Sequence, residues 1–140
     1  MNVAKKKREV SILIPYRLVD NRAVVYLQKR EPDAARWPDY FGFFGGGREP
    51  GEDAETALRR EIQEELSFAP VGYEYFRRYE FENSILDVFI LAVSDDFENR
   101  ITVMEGEYGR WFTEPETVAE PKLTDHNKLV LPDVYRYLKY

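Results

Sequence analysis

Apolar and β-branched residues gather in short runs along the first half of the chain. Residues 10–16 (VSILIPY) and 23–29 (AVVYLQK) predict two strands. Asp20 and Asn21 between them predict a turn, and so a hairpin. Residues 31–39 carry two prolines and no period, which predicts a loop. Residues 40–44 (YFGFF) predict a short aromatic strand running into Gly45, Gly46 and Gly47. The period then changes: residues 53–66 predict a helix, with Pro50-Gly51 as the turn before it and Asp53 as its N-cap. Residues 71–81 and 86–93 (LDVFILAV) predict two more strands, joined near Asn83-Ser84. Residues 101–104 and 110–113 predict short strands around the acidic loop 105–109. The tail predicts a helix starting at Thr124 or Asp125, with Pro132 interrupting or restarting it. The order gives an α/β fold, a mixed sheet with helices, in one domain spanning residues 1–140.

The helix over 53–66 carries an anomaly. At about 100° per residue from Ala54, Leu58 falls near ~40°, Ala57 near ~300° and Ile62 near ~80°, an apolar stripe for the sheet. Glu61 at about 340° and Glu65 at about 20° lie inside that stripe, and Glu64 sits at its edge. Thr56, Arg59 and Gln63 take the opposite side. An inward carboxylate without a partner is costly, and the i, i+3, i+4 spacing adds like-charge repulsion. Arg60 points about 100° away from Glu61 and offsets only part of this. A hard divalent cation held by carboxylate oxygens resolves both problems. The glycines ahead of the helix leave room and backbone N–H groups for a ligand.

Composition narrows the field. The chain has 140 residues, a formal net charge of −6 and no cysteine. The absence of cysteine excludes disulfides, thiolate metal sites and a cysteine nucleophile, and fits a cytoplasmic location. The acidic balance argues against nucleic acid as a partner. No apolar run reaches transmembrane length, and the N-terminus lacks a signal-peptide core, so no membrane association is expected. An acidic protein that handles anionic substrates needs a metal ion or well-placed arginines.

The segment from Gly46 onward resembles the Nudix box, G-x5-E-x7-R-E-U-x-E-E-x-G-U, where U is a bulky aliphatic residue. Gly46 opens the pattern, Glu52 follows, then Arg60-Glu61-Ile62, Gln63, Glu64, Glu65 and Leu66. Ser67 stands where the box has a glycine, Phe68 where an aliphatic is usual, and Phe44 where many members carry proline. The resemblance implies an α/β/α sandwich with a mixed central sheet, in MutT-like form. It implies a Mg2+-dependent pyrophosphohydrolase, with Mn2+ able to substitute. The substrate class is a nucleoside diphosphate linked to another group, such as a nucleoside triphosphate or a nucleotide sugar. It assigns Glu61 and Glu65 as the main metal ligands, Glu64 to a further ion or the water, and the Gly45 carbonyl as an extra ligand. Arg60 orients the glutamates and Glu52 supports the loop. These five charged residues form the implied catalytic set, with the identity of the general base left open.

Outside the box, the resemblance implies a further metal-binding or basic glutamate from a loop before the last strand, with Glu105 and Glu107 as candidates and Glu107 preferred. Arg30 and Arg48 flank the glycines and are candidate phosphate contacts, and Trp37 and Tyr40 are candidates to stack a base. His126, the only histidine, reads as a helix-start or surface residue, and residues 5–8 as a solvated basic flank. The family also hosts an isoprenoid diphosphate isomerase, whose chemistry is associated with a cysteine that this chain lacks. A non-catalytic domain that binds a nucleotide metabolite for regulation is the alternative reading. The intact glutamate set favours catalysis, and a homodimer is compatible with either reading.

Overall fold

The computed structural model describes residues 6–139. Strands β1 (Arg8–Val19) and β2 (Arg22–Lys29) form the expected hairpin. Its turn works because Asp20 (φ 51°) and Asn21 (φ 64°) both adopt the left-handed conformation that a two-residue hairpin turn needs. Along its other edge β1 pairs in parallel with β6 (Ser84–Ala92), and β5 (Glu74–Glu80) pairs antiparallel with β6. β3 (Phe41–Gly42) and β7 (Tyr108–Thr113) pair with β2, and β4 (Phe44–Gly47) pairs with the first half of β1. The result is one mixed seven-stranded sheet.

Its strands are apolar on both faces because a helix covers each face. In β6, Leu86, Val88 and Ile90 face one core, and Phe89 and Leu91 face the other. The first core is closed by Val130, Leu131, Val134 and Tyr135 of α4 (Asp125–Leu138). The second is closed by Leu58, Ile62 and Leu66 of α1 (Ala54–Leu66). This is the α/β/α sandwich expected from the sequence. Among the described residues, no helix is long and apolar enough to cross a membrane.

Several local expectations change. The aromatic strand expected over 40–44 is two strands broken at Phe43, and the glycines continue β4. Residues 101–104 form no strand. They run beside the end of α1, where Thr102 N–H donates to Leu66 O (2.9 Å) and Met104 N–H to Glu65 O (2.7 Å). Those bonds satisfy carbonyls that the helix itself leaves open. Two short helices are new: α2 (Phe97–Arg100) and α3 (Glu114–Ala119). Pro132 neither interrupts nor restarts α4, which runs through it. Pro132 and Lys128, whose carbonyl loses its helical partner, are both on the exposed side, so water can replace the missing bond.

Helix α1 starts as read, with Asp53 accepting from Thr56 N–H at 2.8 Å. It ends at Ser67 in the left-handed region (φ 48°), which costs a residue carrying a Cβ about 1 kcal/mol. Ser67→Gly is therefore expected to stabilise the protein by about 0.5–1 kcal/mol, part of the gain being offset by the freer unfolded chain. Chemical denaturation with an unchanged m-value checks this.

Candidate active site

Strand β4 has no side chain beyond Phe44, and the carboxylates of α1 rest on its bare backbone. A Cβ on Gly46 would stand 2.5 and 2.7 Å from the two carboxylate oxygens of Glu61. Only glycine lets that side chain lie so close. One residue earlier, Gly45 N–H donates to Glu65 Oε2 at 2.9 Å and to Oε1 at 3.2 Å. Gly45 has φ 135°, and an added Cβ would meet Ser11 O and stand 2.8 Å from Ile12 Cα.

Glu65 is 3% exposed. Burial pushes its pKa up to about 8, assisted by the charges of Glu105 and Glu61 and opposed by the Gly45 N–H. Glu61 is also raised, first by burial, against the pull of Arg60. Arg60 is the hub of the cluster. Although it leaves the helix about 100° from Glu61, its long side chain folds back over the carboxylates. It binds Glu52 in fork geometry, Nε to Oε2 and Nη2 to Oε1, both at 2.8 Å. Nη1 donates to Glu61 Oε1 (2.9 Å) and approaches Glu64 Oε1 (3.5 Å), and Nη2 donates to Gly47 O (3.0 Å). The Arg60 hydrogen bonds hold Glu52 down to about 2, with the Glu49 N–H adding to the effect. Arg60 thus ties helix, strand and loop together, while Glu64 stays largely exposed.

Do these residues suit a divalent ion? Among the described residues, no three carboxylate or imidazole side chains already converge on one point, because Glu61 is held by Arg60 and Glu64 faces solvent. The donor chemistry nevertheless fits. Glu61, Glu64 and Glu65 are hard oxygen donors within one turn, and two of them are desolvated with their charged forms disfavoured. Of the loop acids, Glu105 is the one whose charge reaches both Glu61 and Glu65. Both Glu105 and Glu107 are exposed, and Glu107 N–H pairs with Lys29 O at 2.9 Å.

A pH dependence follows. With chelator present, Tm is expected to fall as pH rises from about 5 to 8. The folded pKa of Glu65, about 8, lies above its ordinary 4.5, so the folded state keeps a proton that the unfolded state releases. The stabilisation is complete below the unfolded pKa and is lost through the folded one. Thermal unfolding across this range, with Glu65→Gln flattening the slope, checks it.

On the opposite face of the sheet lies a cavity of about 740 Å³, bounded by the Gly45 and Gly46 backbone and lined by Arg8, Arg30, Arg36, Trp37, His126 and Asn127 among others. Arg30, half-buried, is one of the lining residues, with Nε donating to Arg36 O at 2.8 Å. Trp37 is exposed, and Tyr40 packs against its ring at 5.1 Å between centroids. His126 stacks on Phe81 at 4.2 Å, and burial lowers its pKa. Arg48 does not join the cavity. Its Nη2 pairs with buried Asp87 at 2.8 Å and its Nη1 with Glu9 at 3.6 Å, so the guanidinium expected on phosphate pins the loop to the sheet instead. Of the basic flank, Lys5 lies outside the described residues, while Lys6 and Arg8 line the cavity. That placement follows from the parallel β1–β6 register, which no local pattern signals.

On this α/β/α sandwich, a carboxylate-bearing helix is seated on one side of a glycine strand and a cationic cavity lies on the other. The match to the NUDIX domain model covers residues 7–134, and the chain belongs to that family. Among curated relatives, it is 42% identical over 59 residues to the nucleoside triphosphatase NudI of Enterobacter sp. (strain 638). It is 44% identical over the same length to NudI of Escherichia coli O1:K1 / APEC. Each match takes in 42% of this chain and 40% of the relative, so the chain spans less than half the length of those proteins. Solved structures share the fold at lower identity. One is a MutT structure from work on the Aliivibrio salmonicida and Vibrio cholerae proteins (TM-score 0.74, 20% identity, covering 94% of this chain and 99% of that one). Another is the NUDIX domain of Shewanella oneidensis NrtR complexed with ADP ribose (TM-score 0.73, 15% identity, covering 96% and 90%).

Proposed function

We propose that this protein is a divalent-metal-dependent pyrophosphohydrolase acting on a nucleoside diphosphate linked to a further group, with a nucleoside triphosphate as the favoured substrate. The observation that carries the reading is the pair of desolvated carboxylates, Glu61 and Glu65, held against Gly46 and Gly45 at the edge of a cationic cavity. Similarity to proteins named nucleoside triphosphatase favours the triphosphate over the nucleotide sugar.

In this reading Glu61 and Glu65 hold the ion, with Glu64, Glu105 and the Gly45 carbonyl as further oxygen donors. Magnesium, or manganese in its place, supplies neutralisation of pyrophosphate oxygens and a more acidic bound water. Arg60 fixes Glu61 against Glu52 and keeps the turn in register with β4. A carboxylate of the same turn accepts the proton of the attacking water. Trp37 offers an exposed ring to the base, backed by Tyr40, and Arg30 offers a cation to the phosphate chain. The sequence holds no cysteine, and the cytoplasm is the compartment we assign. The regulatory-binding alternative is disfavoured because every glutamate of the cluster is present.

The test is product release from a panel of nucleoside triphosphates, NDP-sugars, ADP-ribose and dinucleoside polyphosphates, with magnesium and with EDTA. Magnesium-dependent turnover of a panel member supports the proposal. Tight binding of one without turnover of any would replace it with the regulatory reading.

A further inference from the structure

We infer that Arg8 is a phosphate-binding residue of this site, contacting the substrate's phosphate chain where it crosses the glycine strand toward Glu61 and Glu65. The inference rests on the pyrophosphohydrolase reading above.

The Arg8 guanidinium sits against Gly47: a Cβ on that residue would stand 3.1 Å from Arg8 Nε and 3.3 Å from Nη2. Gly47 has no left-handed φ that would call for glycine, so what its missing side chain provides is room for this guanidinium. Successive residues of a strand face opposite sides. Gly46 turns its bare face to Glu61, and Gly47 turns its own to Arg8. The cation and the carboxylates therefore flank the same two residues of β4 from opposite faces, with Arg8 on the cavity side.

Lys7 pairs with Glu80 (3.5 Å), Arg48 with Asp87 and Glu9, and Arg60 with Glu52 and Glu61. Among the described residues, Arg8 has no carboxylate partner. Its main chain is anchored by Arg8 N–H to Asn83 O (3.1 Å) and by the β6 register, which leaves the guanidinium to move on a fixed base. An unpaired, planar, multidentate cation at the mouth of a cavity, in a chain of net charge −6, suits a phosphate oxygen.

The experiment measures binding of inorganic tripolyphosphate, with magnesium in excess, to the wild type and to Arg8→Ala, Arg8→Lys, Gly47→Ala and Lys7→Ala. Tripolyphosphate has no base, and its binding needs no turnover. Arg8→Ala is expected to raise Kd about tenfold, Arg8→Lys to recover part of the loss, and Gly47→Ala to weaken binding by displacing the guanidinium. Lys7→Ala leaves Kd unchanged, and Tm stays within error for Arg8→Ala. An unchanged Kd in Arg8→Ala, with or without a fall in Tm, overturns the role of Arg8 while leaving the function intact. Failure of the wild type to bind tripolyphosphate overturns the inference together with the reading beneath it.

Discussion

Replacing Glu65 with glutamine is expected to lower kcat about 10²–10⁴-fold and, in EDTA at pH 8, to raise Tm. The two effects share one cause. Glu65 is buried at 3% exposure, and its charged form is disfavoured until pH reaches about 8. Without an ion the carboxylate destabilises the fold at neutral or higher pH. The amide is uncharged yet keeps an oxygen for the Gly45 N–H, so the fold tolerates it. What the amide lacks is the negative charge that holds a divalent ion. A residue of purely structural value would lose stability and activity together, so the opposite signs are diagnostic. Steady-state kinetics with magnesium and thermal unfolding with EDTA provide the two readings.

The second large effect separates two adjacent glycines. Gly45→Ala is expected to destabilise the protein by about 3–5 kcal/mol. Its φ of 135° is foreign to a residue with a Cβ, and the new carbon would run into the backbone of Ser11 and Ile12. Backbone in the middle of a paired strand cannot move aside. For Gly46→Ala the nearest atoms instead belong to the end of the Glu61 side chain, its carboxylate oxygens at 2.5 and 2.7 Å. Glu61 can rotate away, so the fold survives while the carboxylate leaves its place. Activity is expected to fall about 100-fold, the size of effect seen when groups that orient metal ligands are lost. Chemical denaturation and kcat for both variants check this contrast. Equal loss of stability in the two would contradict it.

How much of this was legible beforehand depended on how local each interaction is. Helix α1 could be read because its signals lie within the segment: Asp53 at the cap, the stripe of Leu58 and Ile62, and Glu61 and Glu65 within that stripe. The β1–β2 hairpin could be read from Asp20-Asn21 for the same reason. Strand β4 was not legible, since three glycines have no strand propensity and owe their extended form to pairing with β1, some 35 residues away. Residues 101–104 looked like a strand from composition but bond to the end of α1. The cap of α3, with Thr113 and Glu116 bonded to each other's backbone, had a local signature (TEPE) that could have predicted the helix. At the site, position along the chain misled for the arginines. Arg48 adjoins the glycines but is captured by Asp87 from β6, whereas Arg8, remote in sequence, is brought over Gly47. The preference for Glu107 over Glu105 rested on no local signal, and it is the charge of Glu105 that bears on Glu61 and Glu65.

The central claim is that Glu61 and Glu65 together hold a divalent ion. A Mn2+ titration followed by loss of the free-ion EPR signal tests it most directly, comparing the wild type with the Glu61→Gln/Glu65→Gln double variant. The account predicts saturable binding by the wild type and its loss in a double variant that remains folded. Equal binding by both proteins, or none by the wild type, would contradict it.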